Sequence, residues 1–351
     1  MNKLNLLLKR IRGFYLFFPL LCLVVVLLLN LIRTPDFFRV SINNGVFYGY
    51  IIDILNRSSE LIILAVGMTL VVAASAGTDI SVGAVSAVSG AVTIYILVGA
   101  NSSDVYRVPY IVAILLGLLA GAVCGAFNGF LVARLRIQPM VATLILFTAG
   151  RGIAQVLTQG FIIYVRKEQF KYLGNFIPGV PIPTPIFVAV LMIIVTLLIL
   201  KKSAIGLYIK AVGVNPKASR LVGLNSAFII FLVYTFSGLC AGISGMLITS
   251  RVYSIDANNA GLNLELDAIL AVAIGGNSLG GGKFSIAGSI IGAITIQALT
   301  TSLYAMQVKT DQIPVYKAIV VIMIVALQSP VLKNYIRTFK YKSLEGKQVM
   351  K

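Results

Sequence analysis

Apolar runs of about twenty residues recur from one end of the chain to the other. Short polar breaks separate them and carry most of the charge. Twenty helical residues at 1.5 Å each match the ~30 Å hydrocarbon layer of a bilayer. The pattern therefore predicts ten spans, at 14–32, 61–77, 80–99, 108–133, 139–158, 185–200, 226–248, 264–276, 285–304 and 314–332. One of them is short. Residues 264–276, LELDAILAVAIGG, reach only about 20 Å as a helix, which predicts a half-helix ending in the glycine-rich turn GGNSLGGGK at 275–283. A plain cytoplasmic loop is the competing reading, since irregular backbone at depth survives only where protein or water satisfies it.

Composition turns this pattern into a class. Hydrophobic residues make up 58% of the chain and charged residues 11%, with a mean hydropathy of +0.96. Soluble domains carry about 25% charged residues. The expectation is an all-α polytopic membrane protein, one transmembrane domain over 1–351, with broken or re-entrant segments near 76–83 and 275–284. The proline-rich IPGVPIPTP at 177–185 falls between apolar runs, where loops belong. Histidine is absent, which removes the commonest metal ligand and general base. Cys22, Cys124 and Cys240 lie far apart inside apolar runs, so neither a disulfide framework nor a zinc site is indicated.

The net charge of +18 would suit nucleic acid, but its placement argues against it. With the N-terminus in the cytoplasm, the inner segments hold 18 basic residues against the single acid Glu345, while the outer segments are nearly balanced. The positive-inside rule then places both termini in the cytoplasm. The opening KLNLLLKRIRGFYLFFPLLCLVVVLLL is read as an uncleaved first span, because no small-x-small cleavage site follows it.

A few polar residues interrupt the apolar pattern. Asp79, within SAGTDISVGAVSAVSG (75–90), is either a ligand in a path or a cap on the following helix, where it would meet free amides and the positive helix end. As the turn between two spans it is expected near the cytoplasmic face. A similar small-residue turn opens AIGGNSLGGGKFSIAGSIIGAITI (273–296), so the halves either form a weak repeat or converge on small residues. Gly117, Gly121 and Gly125 have the spacing of close helix packing.

Arg151 lies twelve residues past Pro139, about 18 Å into the membrane, with Gln155 one turn on. Such a cation marks a path or caps a neighbouring helix. DANNAGLNLELD (256–267) offers Asp256, Asn258, Asn259, Asn263, Glu265 and Asp267 to a hydroxyl-rich solute at an entry mouth, or is an ordinary wet loop. GGGKFS (280–285) fails as a phosphate loop, since Phe284 follows Lys283 where Ser or Thr is needed. In AVGVNPKASRLVGLN (211–225), Asn215-Pro216 starts a short helix and Gly223 stops it, which suits a docking element or a mere topological anchor.

Taken together, GMTLVVAASAGTDISVGAVSAVSGA, IQPMVATLILFTAGRGIAQ, AVGVNPKASRLVGLN and DANNAGLNLELDAILAVAIGGNSLGGGKF resemble the permease subunits of bacterial sugar ABC importers. The branch is the one serving ribose, arabinose, xylose and galactose. YGYIIDILNR, TAGRGIAQ and DANNAGLNLELDAI are most similar to the galactofuranose type. The resemblance covers roughly 47–330. It implies a dimeric permease core in the inner membrane, homomeric or heteromeric, with cytoplasmic ABC ATPase subunits and a periplasmic or lipid-tethered sugar-binding protein. ATP and Mg would be used by the ATPase, leaving this chain non-enzymatic and without a cofactor.

The same resemblance makes Gly213, Asn215, Lys217, Ala218, Arg220 and Gly223 the expected ATPase-coupling residues. Asp79, Ser81, Gly83, Gly275 and Gly276 become hinge or cap positions. Arg151, Gln155, Asn258, Asn259, Asn277 and Ser278 are expected along the substrate path. Ala76, Thr78 and Asn277 depart from the family's usual Gly, Ile and Gly, which puts transfer of an exact sugar preference in doubt. An ion-coupled secondary transporter using Asp79, or a branched-chain amino-acid ABC permease, are the alternatives.

Overall fold

A computed structural model describes residues 16–43 and 45–328. The chain runs through α1 (Phe17–Arg33), a hairpin of β1 (Ser41–Asn43) and β2 (Val46–Tyr48), α2 (Tyr50–Ser75) and α3 (Val82–Val98). It continues through α4 (Tyr110–Ala133), α5 (Pro139–Thr158), β3 (Ile163–Tyr164), α6 (Thr184–Lys202), α7 (Ile205–Val214) and α8 (Pro216–Leu221). Then come α9 (Ser226–Val252), β4 (Ser254–Ile255), α10 (Leu264–Ile274), α11 (Ile286–Ala305) and α12 (Ile313–Gln328). Among the described residues, six helices are long and apolar enough to cross a membrane: α2, α4, α5, α6, α9 and α11. The expected cytoplasmic termini, and the outer edges of the first and last expected spans, lie outside the described residues.

The bundle is built around α2. Its most apolar stretch is 94% buried, against 22% for α4 and α6, which turn leucine and isoleucine outward. An apolar helix buried all round sits in the core of a bundle, and one exposed on an apolar face suits lipid or another subunit. α9 packs against α2, α3 and α4. Small residues make the α4–α9 crossing tight: a methyl on Gly125 would sit 2.3 Å from the Tyr234 carbonyl oxygen.

The loops sort into two ends. At one, the Phe47 N–H donates to the Pro181 carbonyl at 3.1 Å, Val165 N–H to the Tyr253 carbonyl at 2.8 Å, and β3 pairs antiparallel with β4. At the other, Gly282 N–H donates to the Ala73 carbonyl at 2.9 Å, and Gly77 lies against Pro139. The charge count expects the first group outside and the second inside.

Two boundaries differ from the apolar pattern. α2 begins at Tyr50, eleven residues before the expected span, because its polar first turns are satisfied inside the protein. Glu60 Oε1 pairs with Arg251 Nη1 at 2.7 Å, and Asn56 accepts from the same guanidinium. The inner loop 201–225 also holds a further helix, α7, whose Gly206, Ile209 and Val212 are buried. That segment was too short and too basic at its edges to register as an apolar run.

α3 and α10 are short, at 17 and 11 residues, or about 25 and 16 Å. The two begin against each other inside the bundle: a methyl on Gly83 would sit 2.0 Å from Glu265 Oε2 and 2.4 Å from the Gly261 carbonyl. Gly150, eleven residues up α5, faces Ala84. The start of α3 therefore lies about 16 Å from the inner end of α5, deeper than a plain turn at the membrane face. The chain re-enters the bundle between Ala76 and Ser81.

Candidate functional site

Three polar constellations interrupt the apolar bundle. The first is the turn after α2. Ala76 closes α2 in the left-handed conformation at φ 50°, and the chain folds back until the Asp79 N–H meets Met68 Sδ at 3.4 Å. Asp79 is 1% exposed, and both of its oxygens are engaged. Oδ1 accepts from the Ser81 N–H at 3.1 Å and the Ser81 hydroxyl at 2.6 Å; Oδ2 accepts from the Ser237 hydroxyl at 3.1 Å. Asn128 Nδ2 donates to Ser81 Oγ at 2.8 Å. The carboxylate thus binds the residue at the cap position of α3, one step before the first-turn amides where a helix cap was expected. Two hydroxyls and one amide satisfy it, which is what a buried charge requires.

The second constellation is the glycine-rich turn between α10 and α11. Asn277 Nδ2 donates to the Val272 carbonyl at 3.0 Å and to Ser289 Oγ at 2.9 Å, while its Oδ1 accepts from the Ser285 N–H at 2.6 Å. Ser285 caps α11 by accepting from the Gly288 N–H at 3.1 Å. In both turns, a polar side chain holds the N–H of the serine that precedes the next helix. The two bonds differ in reach, spanning two residues in the first turn and eight in the second. Gly275 touches Gly288, Gly276 takes φ +77°, and Ser278 is exposed. Both turns anchor on α2, the first through the Asp79 N–H on Met68 Sδ and the second through Thr69 Oγ1, which meets Ser289 Oγ at 2.6 Å; Gly213 of α7 also abuts the Ala73 carbonyl.

The third lies where α5 meets the segment before α10. Arg151 Nη1 donates to the carbonyls of Ala257 at 3.1 Å and Ala260 at 2.5 Å. Gln155 Nε2 donates to Asn258 Oδ1 at 2.5 Å, and Asn259 Nδ2 to Asp256 Oδ2 at 2.7 Å. Arg151, Gln155, Asn258 and Asn259 are therefore one cluster. Asn277 and Ser278 are at the other end of α10, apart from it. Glu265, one of the 256–267 acceptors that the sequence offers to a hydroxyl-rich solute or to a wet loop, lies beside this cluster. Its signal was a carboxylate in the first turn of the one helix too short to cross.

In the 201–225 segment, Asn215 caps α8, its Oδ1 accepting from the N–H groups of Lys217 and Ala218, both at 3.0 Å. Gly223 takes φ +84° after the helix, and Arg220 Nε donates to Ser226 Oγ at 2.6 Å. Leu221 and Val222 remain 89% and 76% exposed beyond it. The capped helix thus ends in two exposed apolar side chains.

The chain matches, over residues 50–327, the family described as branched-chain amino acid transport system / permease component. It is similar to the galactofuranose transporter permease protein YtfT of Escherichia coli (strain K12), 43% identical over 88% of each chain. It is 38% identical to the fructose import permease protein FruF of Bifidobacterium longum (strain NCC 2705), over 95% of this chain and 93% of that one. The ribose import permease protein RbsC of Haemophilus influenzae is 34% identical over 91% of this chain and 93% of its own. No solved structure matches. With the family matched across most of its length and its apolar helices in place, the chain belongs to the permease-component family of ABC transport systems.

Proposed function

We propose that this chain is the membrane-spanning permease subunit of a bacterial ABC importer that carries a monosaccharide of the galactofuranose, galactose, fructose or pentose type across the inner membrane. The observation that carries this reading is similarity at 34–43% identity, over nearly the whole chain, to permeases named for galactofuranose, fructose and ribose. Ten crossings with both termini in the cytoplasm fit the charge count and the sorting of the described loops into two ends. No chemistry is done on the sugar. ATP and Mg act on a separate cytoplasmic ATPase, a sugar-binding protein delivers cargo outside, and a second permease copy completes the pathway.

In this reading, the Arg151–Gln155–Asn258–Asn259 cluster lies on the outer half of the path, and Asn277 with Ser278 at its inner end. α8, with Gly213, Asn215, Lys217, Ala218, Arg220 and Gly223, receives the ATPase. Asp79, Ser81, Gly83, Gly275 and Gly276 form the two turns on which the short helices pivot. Ion coupling through Asp79 is disfavoured, because Ser81 and Ser237 already occupy both carboxylate oxygens. The test is uptake of labelled ribose, fructose and galactose by a permease-deletion strain complemented with this chain. Uptake should return for at least one sugar and vanish when the ATPase is inactivated. Restored amino-acid uptake with no sugar carried would overturn the reading, and uptake that survives without an ATPase but collapses with an uncoupler would favour ion coupling.

A further inference from the structure

At the waist of the bundle, α3 and α10 start against each other, so two positive helix ends converge. Glu265 lies in the first turn of α10, 3% exposed, with Oε2 against Gly83 of α3 and no hydrogen-bond partner within the protein. Arg151 commits Nη1 to two carbonyls, while its Nη2 is also buried and without a partner. Among the described residues, no ion pair joins the two. Oε2 is packed directly on the Gly83 backbone, a closeness that only a residue without a side chain allows. A buried charged acceptor and a buried charged donor, each with capacity unused, are costly features for a fold to retain. A polyol uses both at once: one hydroxyl donates to the carboxylate while the oxygen of another accepts from the guanidinium.

We infer that Glu265 and Arg151 form a hydroxyl-binding station for the sugar at the middle of the path. The inference rests on the monosaccharide reading above. Glu265 Oε2 accepts from one hydroxyl, and Arg151 Nη2 donates to a second. The converging starts of α3 and α10 stabilise the carboxylate's charge and so hold it in place. The 256–263 turn, tied down by Arg151 through Ala257 and Ala260, covers the station in this structure and lifts to admit the sugar.

The experiment compares wild type with Glu265→Gln in the full importer, with ATPase and binding protein, using D-ribose, D-fructose and D-galactose and then the monodeoxy series of whichever is carried. The variant should slow the parent sugar about ten- to hundredfold at equal membrane level, the range for a hydrogen bond to a charged group. For the analogue lacking the partner hydroxyl, wild type and variant should be equally slow. The same loss for every analogue would make Glu265 a structural residue and overturn the station. Should Glu265→Gln not reach the membrane, carbodiimide labelling of the wild-type importer reads the same question. Saturating sugar, supplied with binding protein and ATP, should protect Glu265, and unchanged labelling overturns the proposal. Wild-type uptake separates the two readings: no sugar carried refutes the monosaccharide reading, whereas sugar carried with a uniform loss refutes the station alone.

Discussion

The Asp79 carboxylate acts as a knot of three short bonds, tying the α3 start to α9 through Ser81 and Ser237. Asparagine keeps an oxygen for Ser81 and presents an amide to Ser237, whose hydroxyl can turn to accept. Asp79→Asn should therefore retain more than half of wild-type uptake, measured per amount of protein in the membrane. Asp79→Ala leaves the Ser81 N–H and hydroxyl and the Ser237 hydroxyl without their acceptor at a buried site. It should cost about 1–3 kcal/mol of stability, read as a lower melting temperature in detergent, with most uptake lost. Gly83 gives a sharper contrast. Gly83→Ala would drive a methyl into Glu265 Oε2 and the Gly261 carbonyl, whereas Gly152 has nothing within 4 Å. Uptake should fall at least several-fold for Gly83→Ala and stay near wild type for Gly152→Ala; equal behaviour would mean that the α3–α10 contact is not needed.

At the scale of elements, α8 is a six-residue helix that cannot hold itself together, since a helix this short is unstable without caps or packing. Asn215, accepting from two free amides, fixes where it starts. Asn215→Ala should weaken that local structure by about 1 kcal/mol, too little to affect membrane insertion. Sugar-stimulated ATP hydrolysis of the assembled importer should nonetheless fall, and Asn215→Asp should preserve it. This element was legible in the sequence because a cap, a first-turn proline and a stop glycine are local signals. The long apolar spans were legible too, since length and hydropathy are properties of a run. α2's early start was not, because Asn56 and Glu60 are made acceptable by Arg251, 195 residues from Asn56 in the chain. Long-range pairing leaves no local trace. Glu265 is legible as one acceptor of a polar stretch, but its burial is not, because Gly83 and Gly261 of two different segments supply it.

Across the whole molecule, the loops of each end are bonded among themselves, and the two ends communicate through α2, α3 and α10. The inner turn is fastened to α2 at Ala73 and Thr69, while the outer turn is fastened to α5 by Arg151 and Gln155. In the proposed transport cycle, motion at α8 would pass to the inner fastening through Gly213 on Ala73, and the eleven-residue α10 would carry it to the 256–263 turn. Alternating access then requires the outer fastening to open once per cycle. Gln155 and Asn258 are both exposed and bonded across this joint, so cysteines placed there in a background lacking Cys22, Cys124 and Cys240 are open to a short, reducible methanethiosulfonate cross-linker. Cross-linking should stop sugar uptake while leaving the complex assembled, and reduction should restore it. Each single-cysteine variant treated alike sets the baseline, and the cross-linked double variant should lose uptake well beyond either one. Uptake that continues through a fully cross-linked joint would show that the turn is a fixed wall of the path, and would assign the outer opening to another contact.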